Sequence, residues 1–244
     1  CAILGYGNRG SVYADLLYKT DGVKITAVCD INPDALDRAK EKYGLGDEQC
    51  FLREEDFFKE KRGDAVVIAT MDKLHVGHAD SALALGYDVL LEKPIATSAA
   101  DCEEIERSVK KYGSRLLVCH VLRYTAFFRK IKEIIDSGIL GEITSVSEAE
   151  DVDFVHYWLS FLHGNWHNEK QSSSIILQKC CHDFDIVTWL TGKKSKYVSS
   201  FGHLSVYKPE NKPSDAADHC IDCPHMMTCE YSGIRIMCKN PEWL

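Results

Sequence analysis

Short apolar runs alternate with amphipathic stretches from the start of the chain to about residue 120. Continuous apolar runs are typical of strands that are covered on both faces of a parallel sheet. The stretches between them carry apolar residues at helical spacing, and several end at a glycine such as Gly44 or Gly86. This alternation predicts an α/β domain with a doubly wound parallel sheet, which binds ligands at the carboxyl ends of its strands. The predicted strands occupy residues 1–4, 25–30, 65–70, 87–91 and 115–119.

The pattern changes after about residue 120. The spacing predicts a helix over 124–137 and another within 172–192. Alternating residues over 142–154 predict a half-exposed antiparallel strand, and residues 197–207 predict a further strand. We therefore divide the chain into a doubly wound domain, residues 1–122, and an α+β domain, residues 123–244.

The first predicted strand ends in a Gly-x-Gly-x-x-Gly sequence formed by Gly5, Gly7 and Gly10. Gly5 permits a tight turn, Gly7 lets the backbone approach a pyrophosphate, and Gly10 lets the next helix pack on the strand. The free N–H groups at the start of that helix then face the phosphates. The glycine loop therefore predicts dinucleotide binding, with an ordinary turn between strand and helix as the alternative. The expected contacts come from Gly5, Tyr6, Gly7, Asn8, Arg9 and Gly10.

An acid, Asp30, ends the second apolar run, twenty residues after the last glycine of the loop. A carboxylate at this distance can accept hydrogen bonds from the adenosine ribose hydroxyls. It would also repel a 2′-phosphate, so we expect NAD rather than NADP, although Arg9 could offset that repulsion. The residues after the third apolar run, Thr70, Met71 and His75, are expected to border the dinucleotide.

Net charge and cysteine usage narrow the range of possible partners and the expected compartment. The net charge is −8 without a basic run, which argues against nucleic acid and anionic membranes as partners. The odd count of eleven cysteines on such a scaffold suggests a reducing compartment, so we expect a cytoplasmic protein. Cys1 already lies in the first predicted strand, so we also expect a clipped N-terminus, which leaves a removed leader open.

Glu92, Lys93 and Pro94 follow the predicted strand 87–91, at the sheet edge where ligands are expected. The Lys93 ammonium can donate a hydrogen bond to a substrate hydroxyl and stabilise charge as hydride leaves the carbon. Glu92 is expected to orient Lys93 or to contact the nicotinamide amide. The alternative is a solvated lysine in a turn.

These motifs together resemble the Gfo/Idh/MocA oxidoreductases. The resemblance is carried by the glycine loop, by 70–75, by Glu92-Lys93-Pro94 and by 181–185, and it extends to about Gly192. It implies an NAD(P)-binding Rossmann domain followed by a domain with an open, mostly antiparallel sheet, which we expect to be incomplete in this chain. It also implies a sugar, cyclitol or related polyol bound over the nicotinamide, and we expect a homo-oligomer.

His182 and Asp185 lie three residues apart on a predicted helix and hence on one face. The resemblance makes His182 a candidate for proton transfer, with Asp185 orienting it or contacting substrate. The alternative is a buried histidine satisfied by its neighbour. Many family members carry Asp four residues before this His, but Gln178 stands there and cannot act as a base. Lys179 is a candidate to take over part of that role.

Arg123 follows the last strand of the first domain and is expected to bind substrate or to pair with an acid. Tyr157, Asn165 and Trp166 lie on a segment that we expect to overhang the nicotinamide. A tryptophan can stack on a sugar face, although a core aromatic is the equal alternative.

A second constellation contains Cys220, Cys223 and Cys229. Cys-x-x-Cys followed by another Cys can bind zinc, with His219, His225 or Cys238 as the fourth ligand. We expect a structural zinc rather than a catalytic one, and reduced thiols in an insertion loop are the alternative.

The first hypothesis is therefore an NAD(P)-dependent oxidoreductase that acts on a CH–OH group of a sugar, inositol or related polyol. Gln178 motivates two alternatives. One is a glycoside hydrolase that keeps NAD bound and uses transient oxidation, and the other is a non-catalytic regulator that senses NAD or sugar.

Overall fold

The computed structural model of the chain describes residues 1–239. Residues 240–244, the end of the predicted second domain, lie outside the described residues. The chain divides into two compact units. The first contains Cys1–Glu150 and Asn168–Gly192, and the second contains Asp151–His167 and the chain from Lys193 onward. The domain boundary that we place between residues 122 and 123 stays a prediction.

The first unit contains a six-stranded sheet in which every neighbouring pair is parallel. The strand order is β3-β2-β1-β4-β5-β6, so the direction of strand addition reverses between β1 and β4. This topology is the doubly wound order of a Rossmann fold and confirms the predicted α/β class. The strands are β1 (Ala2–Leu4), β2 (Ala27–Cys29), β3 (Cys50–Phe51), β4 (Ala65–Ile68), β5 (Asp88–Leu91) and β6 (Leu116–Val118).

Local signals in the sequence fix the helices between these strands. Asn32 caps its helix by accepting a hydrogen bond from the Asp34 N–H, and Gly44 ends the helix with φ +66. Ser98 likewise accepts from the Asp101 N–H. The α-helices of this region are α1 (Asn8–Tyr18), α2 (Pro33–Tyr43), α3 (Glu54–Phe57), α4 (His75–Ala84) and α5 (Ala99–Tyr112).

The central strands of the sheet, β1, β2 and β4, are buried on both faces, which explains their continuous apolar runs. In β1, Ala2 and Leu4 face one apolar cluster with Phe57, whereas Ile3 between them faces the other with Val28. Successive side chains of a strand point to opposite faces, so both sets must be apolar when helices cover both sides.

The remaining α-helices of the described chain are α6 (Ala126–Asp136), α7 (Phe154–Tyr157), α8 (Ile175–Gln178), α9 (Cys181–Thr191) and α10 (Gly233–Lys239). A π-helix, Trp158–Leu162, follows α7. Within residues 1–239, no helix combines the length and the apolar character needed to cross a bilayer.

The strands predicted over 142–154 and 197–207 do not form in the described structure, whose strands all belong to the parallel sheet. A strand requires a neighbour that hydrogen-bonds its main chain, and alternation of side chains does not supply one. Side chains in the second segment are correspondingly exposed, at 84% for Tyr197 and 97% for Phe201. The expected antiparallel sheet therefore has no counterpart within residues 1–239.

Candidate functional site

Two glycines of the loop between β1 and α1 are required by the packing of the protein itself. Gly5 has φ +87, and a Cβ there would lie 2.7 Å from the Ala69 carbonyl oxygen. A Cβ on Gly10 would lie 1.8 Å from the Gly5 carbonyl oxygen. A Cβ on Gly7, in contrast, would meet no atom within 4 Å. The space beside Gly7 is thus open, as close approach of a dinucleotide pyrophosphate requires, and the loop fits NAD.

Asp30 is held beside this loop by main-chain donors. Its Oδ2 accepts a hydrogen bond from the Tyr6 N–H at 2.6 Å, and its Oδ1 accepts from the Asn32 N–H at 2.8 Å. The carboxylate therefore has a fixed position at the carboxyl end of β2, where the ribose of a bound dinucleotide is recognised in such folds.

Arg9 of the loop binds Glu92, which follows β5. Arg9 Nε lies 3.1 Å from Glu92 Oε1, and the Tyr13 hydroxyl donates to the same oxygen at 2.7 Å. Glu92 is only 5% exposed, and its Oε2 accepts from the Lys93 N–H at 2.8 Å. Glu92 thus connects the glycine loop to the main chain of Lys93.

The Lys93 side chain reaches the segment that carries His182. Lys93 Nζ donates to the Gln178 carbonyl oxygen at 2.8 Å. Burial lowers the pKa of Lys93. Burial, and then the positive charge of Lys93, lower the pKa of His182 to about 4, so its imidazole is neutral near pH 7. Its buried Nδ1 has no hydrogen-bond partner in the described part of the chain.

Asp185 lies on α9 with His182, but its carboxylate is bound by Arg123. The guanidinium makes two hydrogen bonds to it, and the Nε–Oδ2 distance is 2.7 Å. This ion pair raises the pKa of Arg123. His120 lies 3.8 Å from Asp185 and edge-on to His182, with 5.9 Å between the ring centroids. The Arg123–Asp185 pair therefore lies beside the two histidines. Of the two roles expected for Arg123 from the sequence, substrate binding or pairing with an acid, the structure shows the ion pair.

Gln178 and Lys179 have different surroundings. Gln178 is 3% exposed and its side-chain amide donates to the carboxylate of Asp72. Lys179 is directed to Glu150, with 3.1 Å between Nζ and Oε1. The sequence analysis assigned no role to Asp72, although it is an acid four residues after the end of β4, near the ligand-binding edge of the sheet.

Of the three residues expected beside the dinucleotide after β4, His75 is held within the protein. Its Nδ1 lies 2.9 Å from the Pro94 carbonyl oxygen and its Nε2 lies 3.1 Å from the Thr70 carbonyl oxygen. Burial lowers the pKa of His75. The ring thus connects the end of β4 to Pro94, and the cofactor contacts expected of Thr70, Met71 and His75 stay predictions.

The candidate substrate residues Tyr157, Asn165 and Trp166 belong to the second unit. Tyr157 stacks on Tyr207 with 5.7 Å between ring centroids, and Asn165 is exposed. The main-chain N–H of Trp166 donates to the main-chain carbonyl of Ser160. Trp158 of this unit is buried, and the sequence analysis did not single it out. The substrate roles stay predictions.

The described residues do not gather the thiols of Cys220, Cys223 and Cys229 into a metal site. Zinc requires four ligand atoms around one point, each at about 2.0–2.3 Å from the ion. Among residues 1–239, the potential ligand atoms that lie close together are those of three acids, Glu148, Glu150 and Asp183. The expected zinc site is therefore not supported.

Two family models match this chain. Residues 1–120 match the GFO_IDH_MocA model, described as an oxidoreductase family with an NAD-binding Rossmann fold. Residues 128–238 match the model of the GFO/IDH/MocA C-terminal domain.

The sequence is similar to those of several bacterial oxidoreductases. YteT of Bacillus subtilis (strain 168), named only as an oxidoreductase, is 30% identical over 219 residues, which are 85% of this chain and 50% of that protein. Inositol 2-dehydrogenase of Salmonella typhimurium (strain LT2) is 28% identical over 206 residues, 82% of this chain and 56% of that protein. The chain thus spans about half the length of these curated relatives.

The fold is similar to a crystal structure of scyllo-inositol dehydrogenase from Lactobacillus casei with bound NAD(H) and scyllo-inositol. The TM-score is 0.67 at 26% sequence identity, over 79% of this chain and 56% of that one.

Proposed function

Because this chain belongs to the Gfo/Idh/MocA oxidoreductase family, we propose that it is an NAD-dependent dehydrogenase of a cyclitol such as inositol, or of a related polyol. The observation that carries the proposal is that the half-buried ammonium of Lys93 reaches the Gln178 carbonyl, four residues before His182, whose imidazole is neutral near pH 7. The similar Lactobacillus casei structure, which contains NAD(H) and scyllo-inositol, supports the substrate class.

The two side chains divide the proton chemistry between them. When bound, NAD supplies the nicotinamide carbon that accepts a hydride. Lys93, held by the Gln178 carbonyl, donates a hydrogen bond to the reacting hydroxyl oxygen and stabilises the charge that grows there. His182, neutral because its pKa is about 4, accepts the hydroxyl proton. The Arg123–Asp185 pair keeps a compensated charge beside this imidazole.

NAD is the proposed cofactor in preference to NADP. The Asp30 carboxylate is fixed by two main-chain donors and would repel a 2′-phosphate. Arg9, the cation of the loop that could offset this repulsion, is paired with Glu92. The cytoplasmic setting and the homo-oligomer expected from the sequence stay predictions.

The two alternative functions gain no support from the site. Gln178 motivated both of them, and its side chain is bound to Asp72 while its carbonyl binds Lys93. It therefore contributes to the arrangement that the dehydrogenase proposal needs.

A panel assay tests the proposal. The full chain is incubated with NAD and a set of inositols, sugars and linear polyols, and NADH is followed by its absorbance. We expect steady NADH formation with at least one cyclitol or polyol. A chain that binds NAD by calorimetry but reduces it with no member of the panel contradicts the proposal.

A further inference from the structure

Asp72 is a buried carboxylate whose donors come almost entirely from a distant part of the sequence. It is 3% exposed, and its Oδ2 accepts hydrogen bonds from the Ser172 and Ser173 hydroxyls, both at 3.1 Å. The Gln178 side-chain amide donates to the same oxygen. Its Oδ1 accepts from the neighbouring Lys73 N–H at 3.1 Å. A buried carboxylate is costly unless such donors compensate it, so Asp72 and this segment hold each other in place.

Gln178 connects this carboxylate to Lys93. Its side-chain amide donates to Asp72, and also to the Ser172 hydroxyl at 3.1 Å. Its main-chain carbonyl accepts the hydrogen bond from Lys93 Nζ at 2.8 Å. The position of the carbonyl that holds the ammonium therefore depends on a side chain that Asp72 fixes.

We propose that Asp72 is a positioning residue for Lys93, which it controls through Gln178. The sequence has an uncharged amide at Gln178, where a carboxylate was expected, and Asp72 places a carboxylate one hydrogen bond away. A carbonyl that accepts from an ammonium favours its charged form. Asp72 thus keeps Lys93 oriented and protonated, which the proposed reaction requires. The catalytic consequence rests on the proposed function, whereas the effect on Lys93 itself does not.

Exchange of the two groups is the sharpest test, because Asn and Glu have the shapes of Asp and Gln. In Asp72→Asn/Gln178→Glu the amide of residue 72 can donate to the carboxylate of residue 178, and the serine hydroxyls can rotate to accept. In the single variant Gln178→Glu, two buried carboxylates face each other. In the single variant Asp72→Asn, the charge-assisted hydrogen bond from the residue 178 amide to a carboxylate is lost. Asp47→Asn is the matched control, because it removes a carboxylate that is 94% exposed.

The kinetic readout is the pH dependence of kcat/KM in full-chain protein. We expect Asp72→Asn to lower kcat about tenfold and to move the alkaline limb to lower pH, since Lys93 loses its proton more easily, and we expect the exchange to recover most of the loss. The affinity for NAD should stay within about twofold, because the Asp72 carboxylate is bound by Lys73, Ser172, Ser173 and Gln178 and not by the glycine loop or Asp30. Losses that simply add in the double variant, or an alkaline limb that does not move, would overturn the proposal.

A second readout needs no turnover. Lysines of the full chain are reductively methylated with a carbon-13 label and titrated by NMR, with Lys93→Arg identifying the Lys93 signal. We expect the Lys93 titration to move to lower pH in Asp72→Asn, to return in the exchange, and to be unchanged in Asp47→Asn. A Lys93 titration that is the same in all variants overturns the positioning role. If the wild-type chain oxidises no polyol but the titration moves as expected, the dehydrogenase proposal fails and the positioning role stands.

Discussion

Arg9 forms an ion pair with Glu92, 83 residues further along the chain, at 3.1 Å between Nε and Oε1. The pair joins the glycine loop to the strand end that carries Lys93, and the Glu92 side chain is 7% exposed. A buried carboxylate that loses a charged donor is left with part of its desolvation cost uncompensated. The two motifs that the sequence presents separately are thus energetically connected.

The first prediction concerns this ion pair. Arg9→Gln should lower the free energy of unfolding by about 1 kcal/mol, because Glu92 keeps its Tyr13 and main-chain donors but loses the cation. Chemical denaturation measures the change. Arg53→Gln is the control, since the Arg53 side chain is 70% exposed and pairs with an exposed acid, and should change the stability by less than about 0.5 kcal/mol. A loss of stability in Arg9→Gln no larger than that in Arg53→Gln would show that the Arg9–Glu92 pair is not stabilising.

The second prediction concerns the choice of dinucleotide. Asp30→Asn keeps the shape of the side chain but removes the charge that faces a 2′-phosphate. We expect the ratio of NAD to NADP affinity to fall by about tenfold, of the order of one lost charge interaction. Calorimetric titration of both dinucleotides measures the ratio, with Asp34→Asn on the exposed first turn of α2 as control. An unchanged ratio would mean that Asp30 does not select the cofactor.

The fold of the first unit could be predicted because its signals are local. Asn32 followed by Pro33, and Ser98 before α5, cap helices with their own side chains. The runs of β1 and β4 are apolar throughout because both faces are covered. The strands expected over 142–154 and 197–207 could not be judged in this way, since a strand depends on a partner that side-chain alternation does not identify.

The candidate site also contains residues that local sequence signals identify and residues that only tertiary contacts reveal. Gly5, Gly7 and Gly10 have the spacing of the motif and were identifiable from the sequence alone. Asp72 was not, because its donors Ser172 and Ser173 lie 100 and 101 residues away and become neighbours only in the folded chain. Contacts of this kind depend on tertiary packing, which no local pattern reports.

The third prediction separates chemistry from cofactor binding. Lys93→Met keeps an unbranched apolar stem but removes the ammonium that meets the Gln178 carbonyl. We expect kcat with the best polyol to fall by about 10³-fold, as for loss of a charged donor to a developing oxyanion. Calorimetry should show an NAD affinity within about threefold of the wild type. Lys130→Met on α6, whose side chain is 63% exposed, should leave both quantities unchanged. Full activity of Lys93→Met would remove the lysine from the mechanism.

The last prediction follows from the pKa of His182, which burial lowers to about 4. The imidazole is neutral above that value, so the acid limb of kcat/KM should extend well below the usual histidine pKa of about 6.5. The same pKa shift makes the stability of the fold depend on pH. Between pH 6.5 and 4 the unfolded chain binds a proton at this residue and the folded chain does not, so the free energy of unfolding decreases as the pH falls through that window.

Buried His75 and half-buried His120, whose pKa values burial also lowers, contribute to the same slope, so His182→Gln should flatten it in part. The exposed His203→Gln variant is the control and should keep the wild-type slope. Denaturant unfolding at a series of pH values measures it. If the free energy of unfolding has the same pH dependence in wild type and His182→Gln, folding does not lower the pKa of His182. His182 would then not supply a neutral base at low pH, as the proposed reaction needs.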